Sequence, residues 1–429
     1  MTKISIFWFR RDLRLTDNVG LHQALQAGYP VLPIFIFDDQ ILSELPKDDA
    51  RLSFIHQELA KIDEELKAKG SGVLGIKGTP KEVWKKLMEN YEIAEVHLNR
   101  DYEPYARTRD EEIKVLVEAA GITFHTHKDQ VVFEAHEVLK ADGLPYTVYT
   151  PYKNKWLAAF EPSMIAALSP KVQDNYLPGD FAFPSLTEMG FEQSKITVQP
   201  YDLSQLDDYE THRNFPAADG TSYLSPHLRF GTVSTRQIMA KLKESQAVFL
   251  SELIWREFFM QILFHFPKVV DRNFRAKYDG IAWRNNKAEF ELWCQGQTGY
   301  PMVDAGMRQL NATGYMHNRV RMVVASFLCK HLLIDWKWGE AYFAEKLLDF
   351  ELSSNNGNWQ WAAGTGCDAA PYFRIFNPES QLKKFDKELK YIKKWVPEFG
   401  SFDYVRPMVE HKAARQRALD TYKAGIALA

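Results

Sequence analysis

Cysteine is nearly missing from this sequence. Cys294, Cys329 and Cys367 are far apart, odd in number, and form no Cys-x-x-Cys pair. They argue against a disulfide framework or a zinc site and for a reducing compartment. Excess charge is missing as well: 53 basic and 56 acidic side chains leave a formal charge of -3. Any grip on nucleic acid must then come from a local basic patch. Apolar runs are short; "MVVASFLC" is among the longest and cannot cross a bilayer. The opening "MTKISIFWFRRDLRL" has too short an apolar stretch for a signal peptide. These absences predict a cytoplasmic protein with no membrane attachment. No P-loop, H-E-x-x-H or G-x-S-x-G pattern occurs. "GSGVLG" at 70–75 fits G-x-G-x-x-G in letters only. It follows a helix and opens a strand, the reverse of a dinucleotide fingerprint, and reads as a helix C-cap.

Aromatic residues are plentiful, at 14%, and eight of the eleven tryptophans follow residue 250. So many in one region bring redox or stacking roles into view beside plain core packing. The first part of the chain alternates. "ISIFWF", "VLPIFIF", "VLGIK", "EVHLN" and "ITFHTH" read as strands, separated by helical patterns such as "RLSFIHQELAKIDEELKAKG". Thr79, Pro80 and Glu82 predict a capped helix start. Strands alternating with helices imply a doubly wound parallel sheet over 1–130. Prolines and glycines break the pattern over 131–208, which reads as a connection with a helix near Trp156 to Leu168. From 209 to 429 the periodicity is helical almost throughout, so the second domain is expected to be all-α. No metal site is expected: His125 and His127 alternate on a strand and read as surface or satisfied histidines.

Four stretches carry candidate chemistry. In "GTSYLSPHLRFG", Thr221, Ser222 and Ser225 precede a helix; their hydroxyls suit a phosphate or an ordinary cap. In "SELIWREFF", helical spacing puts Glu252, Trp255, Arg256 and Phe259 on one side. That face is either a recognition surface or a Glu252–Arg256 surface pair beside a half-buried indole. "HNRVRM" places Asn318, Arg321 and Met322 together with Arg319 nearby, which suits base and phosphate contacts or simply a polar helix start. "SSNNGNWQWAAGTGCDAAPYFRIFNP", 353–378, sets Trp359 and Trp361 two residues apart among small polar residues.

Taken together, "WFRRDLRLTDN", "DGTSYLS", "ELIWREFF", "TGYPMVDAGMRQLNATGYMHNRVRM", "LLIDWKWGE" and "NNGNWQWAAGTGCDAAPYFRIFNP" resemble the photolyase/cryptochrome family, over nearly the whole chain and in its order. The likeness is closest to class I cyclobutane pyrimidine dimer photolyases. It implies an α/β antenna domain, an all-α domain holding FAD, and light-driven electron transfer that splits pyrimidine dimers in DNA. It assigns Glu252, Trp255, Asn318, Met322 and Trp361 to the dimer pocket. It sets Trp359, Trp336 and Trp283 as an electron-transfer chain. Tyr209, Thr221, Ser222, Leu224 and Ser225 fall to the FAD phosphates and ribityl chain, and Arg256, Arg321, Asp349, Glu351 and Asn355 to the ring. Arg213, Arg319, Arg374 and Gln381 fall to DNA. Glu252 would hydrogen-bond the thymine edge and, to donate, must be protonated.

The sequence departs from the family at three places. Phe249 replaces an indole near the adenine, and Glu351 replaces the usual Asp. Tyr105 and Ala106 stand where folate-binding relatives use an Asn–Glu pair, so the antenna chromophore is expected to be a deazaflavin or second flavin, or the pocket empty. UV-damaged DNA is the implied partner, and the chain is expected to act as a monomer. The alternative function is a cryptochrome-type blue-light receptor. Repair of the pyrimidine–pyrimidone photoproduct calls for a histidine pair that His317-Asn318 does not match. A single-strand-binding protein that stacks bases on tryptophan would not need Asn355 or the Thr221–Ser225 run.

Overall fold

The structure, a computed structural model, describes residues 2–168 and 174–428. Its contacts divide into two compact units that interleave along the chain: 1–138, 156–199 and 224–243 form one, and 139–155, 200–223 and 244–429 the other.

The first unit is built on five parallel strands: β1 (Ile4–Phe9), β2 (Val31–Asp38), β3 (Leu74–Gly78), β4 (Ile93–Asn99) and β5 (Thr123–His127). Their order is β3-β2-β1-β4-β5. β1 and β2 are buried along their whole length, as central strands of a two-sided sheet must be. Alternate residues serve opposite faces. Phe7, Phe9, Phe35 and Phe37 join Leu21 of α1 (Val19–Gln26) and Leu59 of α2 (Ala50–Lys67). Ile6, Trp8, Leu32 and Ile34 join Trp84 of α3 (Pro80–Asn90) and Ile113 of α4 (Pro104–Glu118).

The "WFRRDLRLTDN" segment has structural work within this unit. Arg14 Nη2 donates to both oxygens of Asp129, at 2.7 and 2.6 Å, and Arg236 Nη2 donates to Oδ1 at 2.8 Å. Burial would raise the Asp129 pKa, but the two guanidiniums outweigh it and hold the carboxyl below its ordinary value. Gly231, at φ +69, lies so close that an added Cβ would sit 2.1 Å from the Arg11 carbonyl oxygen.

Two expectations are corrected. Thr79 precedes α3, but its hydroxyl donates to the Glu82 carboxylate at 2.7 Å and caps no backbone N–H, because the acceptor three residues on is the stronger partner. The helix expected near Trp156 to Leu168 runs instead from Tyr149 to Ala159, followed by a short 3₁₀ turn at Pro162–Ile165. Pro162 ends the run, since the residue before a proline is driven out of the helical region.

The second unit is helical. Its main elements are α5 (Ala247–His265), α6 (Pro301–Thr313), α7 (Asn318–Ser326), α8 (Trp336–Lys346), α9 (Leu352–Ala363) and α10 (His411–Ala427). A large core joins Met302 and Met307 of α6, Val320 and Val324 of α7, Trp336 and Phe343 of α8, and Trp359 of α9. Among the described residues no helix is long and apolar enough to cross a membrane.

Candidate active site

The stretch with two tryptophans is helix α9, not a pleat or turn. Glu351 caps it, accepting from Ser354 N at 2.9 Å and from Ser353 Oγ at 2.5 Å. Gly364, at φ +82, ends it. The carboxylate that the sequence sets beside the flavin ring is thus on the helix N-terminus. Two residues along a helix turn the side chain by about 200°, which sends Trp359 and Trp361 to opposite sides. Trp359 is buried and Trp361 half-buried. Gly357 lets α9 lie close to α5; a Cβ there would come within 2.2 Å of the Phe259 ring.

Trp359 is wedged. Phe343 meets it edge-on with centroids 4.9 Å apart, and Trp293 does so at 6.2 Å. Gly339 of α8 lies beneath it, where a Cβ would sit 2.1 Å from Cη2. Gly339→Ala is therefore expected to destabilise the protein by about 1–3 kcal/mol through overpacking, read as a lower urea midpoint with an unchanged slope. An unshifted midpoint would mean the indole has room to move. Trp336 is buried, and its Nε1 donates to Asn273 Oδ1 at 2.9 Å. Trp283 is half-buried and meets Tyr422 edge-on at 5.8 Å. Exposure therefore rises from the first two indoles to the third.

Asn355 is buried, and its Nδ2 donates to the Glu340 carbonyl at 3.0 Å. That bond commits the amide donor and leaves Oδ1 with no hydrogen-bond partner among the described residues. Nearby, burial pushes the Glu340 carboxyl up to about 7 against the opposing Asn356 hydrogen bond, and its Oε1 is buried without a partner. Arg321 donates to Asp349 Oδ2 at 2.9 Å and to the Met316 carbonyl at 2.8 Å. Arg256 is half-buried.

The acid on α5 does not pair with Arg256. Glu252 Oε1 lies 2.8 Å from Arg213 Nη2 in an ion pair, both side chains being partly exposed. In the unbound protein the Glu252 side chain is paired with a cation. Arg213 also lies over the Tyr209 ring at 5.3 Å, and Tyr209 meets Phe249 edge-on at 5.2 Å. Burial, with Glu252 adding to it, pushes the Tyr209 hydroxyl up to about 12. Trp255 has one face covered: Tyr149 stacks on it at 3.6 Å and 8°, its own hydroxyl donating to the Ser251 carbonyl at 2.6 Å. No ring contact joins Trp255 to Trp361 among the described residues.

The arginines converge. Arg319 donates to Asn214 Oδ1 at 2.6 Å and lies 4.4 Å from the Phe385 ring. Burial first, then the cations of Arg213 and Arg374, push it below the ordinary guanidinium value. Its Nε is buried without a partner, as is Gln381 Oε1. Arg374 is exposed. Asn318 is exposed at the start of α7 and Met322 half-buried one turn on. His317 caps that helix, its Nδ1 accepting from Arg319 N at 3.1 Å. Thr221 and Ser222 are half-buried in the second unit; Leu224 and Ser225 open a short helix of the first unit, Leu224 buried and Ser225 exposed. Tyr149, Asn214, Asn273 and Trp293 are neighbours that no sequence pattern singled out.

Residues 5–172 match the family model for DNA photolyase, and 249–403 that for the FAD binding domain of DNA photolyase. The deoxyribodipyrimidine photo-lyase of a Synechococcus species is 36% identical, over 98% of this chain and 97% of its own. A class III photolyase from Agrobacterium tumefaciens has a TM-score of 0.88 at 34% identity, covering 99% of this chain and 98% of that one. An archaeal photolyase from Sulfolobus tokodaii with two FAD molecules has a TM-score of 0.82 at 35% identity, covering 98% of this chain and 99% of that one. A doubly wound parallel sheet together with a helical FAD-binding unit defines the class, the photolyase/cryptochrome flavoproteins. The chain belongs to the DNA photolyase family.

Proposed function

We propose that Glu252, Trp255, Asn318, Met322 and Trp361 receive a cyclobutane pyrimidine dimer flipped out of DNA, with Arg213, Arg319, Arg374 and Gln381 on the nucleic acid. The reaction is light-dependent DNA repair, and the chain is a deoxyribodipyrimidine photo-lyase. The observation that carries the substrate reading is that Arg213 and Arg374 lie close enough to the half-buried Arg319 to add to the lowering that burial causes, and that Arg213 also pairs with Glu252, in a chain of net charge -3. Like charges brought together need an anion. Arg213 holds Glu252 until a phosphate takes its place, and Tyr149 keeps the Trp255 ring fixed for stacking. A dimer is cheaper to extrude than a normal pair because the lesion already disturbs stacking.

The residues fit FAD. Asn355 offers a buried acceptor, Oδ1, with its amide donor already used; Arg321 and Asp349 form a half-buried ion pair that suits the polar edge of a ring. Tyr209, Thr221 and Ser222 would hold the phosphates and ribityl chain, and Arg256 the ring. When bound and reduced, FAD supplies light absorption and the electron. Trp359, Trp336 and Trp283 carry electrons inward from the surface to recharge it.

We read residues 1–130 as the antenna domain, 131–208 as the connection and 209–429 as the catalytic domain. A deazaflavin or second flavin is the antenna chromophore that best suits Tyr105, whose hydroxyl is bonded to Asp38. The three thiols are free, which suits the cytoplasm, and the protein acts as a monomer.

Purified protein is expected to carry near-stoichiometric FAD, noncovalently bound, and to clear thymine dimers from an oligonucleotide only under blue light. A folded protein that stays colourless with added FAD, or leaves the dimer intact, would refute this. Binding to dimer-containing DNA is expected to fall with salt, and Arg319→Ala to reduce the slope of log K against log salt by about 0.9. An unchanged slope would take Arg319 off the phosphates.

A further inference from the structure

Outside the active site, the first unit gathers a second set of polar side chains. β4 and β5 are parallel neighbours, and their register sets His97 beside His125, with Glu95 opposite Thr123 and Asn99 opposite His127. Residues two apart on a strand share a face, and paired residues on adjacent strands lie roughly 4.8 Å apart. Glu95, His97 and His125 therefore form a triangle on one face, with β5 at the sheet edge.

The distances suit a metal ion. His97 Nε2 lies 2.9 Å from Glu95 Oε2, and His125 Nε2 lies 3.6 Å from the same oxygen. One ligand atom from each of the three lies within 4.8 Å of the others. Tetrahedral bonds of zinc to nitrogen and oxygen put neighbouring ligand atoms about 3.3 Å apart. Small shifts of side chains, without backbone movement, meet that spacing.

Two further observations point the same way. Glu95 is half-buried, at 21% side-chain exposure, yet its only ion-pair partners among the described residues are the two imidazoles. No lysine or arginine compensates it, and a cation would. His97 has an outer partner as well: its Nδ1 lies 3.1 Å from His127 Nε2, the rings being parallel within 1°. A ligating histidine needs its second nitrogen fixed by such a partner, which sets the tautomer. With Nε2 on a metal, His97 Nδ1–H donates to His127 Nε2, and neither ring changes its charge. His125, at 39% side-chain exposure, keeps the position open to solvent.

We propose that Glu95, His97 and His125 bind one Zn²⁺ ion, with His127 as the outer partner of His97 and water in the fourth position. The donors are imidazole and carboxylate, which suit zinc and need no thiolate. The ion would tie the edge strand β5 to β4.

The test uses untagged, full-length, FAD-loaded protein, stripped with a chelator, dialysed and titrated with Zn²⁺ by calorimetry. One site per chain is expected, and zinc is expected to raise the unfolding temperature. His125→Ala and Glu95→Gln should each remove that site and the thermal gain. His127→Phe should weaken binding by about 10- to 100-fold, as loss of an outer partner does. Flavin content and the metal-free unfolding temperature show that each variant folds; Glu95→Gln keeps the size and shape of the side chain. Absence of a one-to-one zinc site in the wild type would overturn the proposal. So would zinc binding that all three variants retain, since the ion would then lie elsewhere, for example at the part-buried His331–His411 pair.

Discussion

Glu252→Ala is expected to cut the repair yield per absorbed photon by about 100-fold, comparable to removing one oxyanion-stabilising donor. Splitting a dimer begins with an extra electron, and its charge gathers on the thymine carbonyls. A donor aimed there in a water-poor pocket is worth far more than one in water. In the unbound protein Glu252 is ion-paired with Arg213 at 2.8 Å. DNA changes both of its surroundings at once on the proposed reading: Arg213 moves to a phosphate, and the lesion displaces water beside Trp255. There a carboxyl can donate only in its protonated form. Glu252→Gln keeps an N–H donor and should retain more yield than alanine. Arg213→Ala should weaken binding and its salt dependence while leaving the yield at saturation near wild type. The measurement is dimer loss per photon at saturating substrate, with enzyme reduced beforehand by dithionite. An undiminished yield in the alanine variant would reduce Glu252 to a binding residue or a surface ion pair.

Trp359→Phe is expected to abolish photoreduction by an external thiol yet leave repair by dithionite-reduced enzyme largely intact. A phenyl ring is much harder to oxidise than an indole, so the chain of donors is cut at its inner end. Trp359 touches no part of the proposed dimer pocket: it is buried against Phe343, Trp293 and Gly339, while Trp361 points the other way from α9. The smaller ring leaves a void, and a stability loss of about 1–2 kcal/mol is expected, too little to unfold a domain of ordinary stability. Trp293→Phe is the control, because Trp293 lies edge-on to Trp359 at 6.2 Å but is fully buried, its Nε1 bonded to the Val324 carbonyl. Photoreduction in that variant should persist. Equal loss in both variants would route the electrons through Trp293 in place of Trp336 and Trp283.

The strands, their parallel order of use and the all-helical second half were legible from residue pattern, because period and composition act locally. A run such as "VLPIFIF" can be satisfied only by burial on two faces, and the structure buries all of β2. Helical spacing likewise separated Trp359 from Trp361 once α9 formed, although the small polar residues around them hid the helix: Glu351 and Gly364 define its ends. Partner choice was another matter. Spacing offered Glu252 its neighbour Arg256 one turn on; the structure gives it Arg213, from a distant segment, because chain folding and not sequence distance decides which cation arrives. Tyr149 could not be read at all, since it comes from a proline-broken connection without periodicity and finds Trp255 only in three dimensions. The same holds for Glu95, His97 and His125. Each strand by itself shows unremarkable alternating polar residues, and only the parallel register of β4 and β5 sets the three side chains together. Sequence determined the elements and the faces they present; tertiary structure decided which polar groups meet, because an ion pair or ligand set depends on distances of a few ångströms that no local pattern encodes.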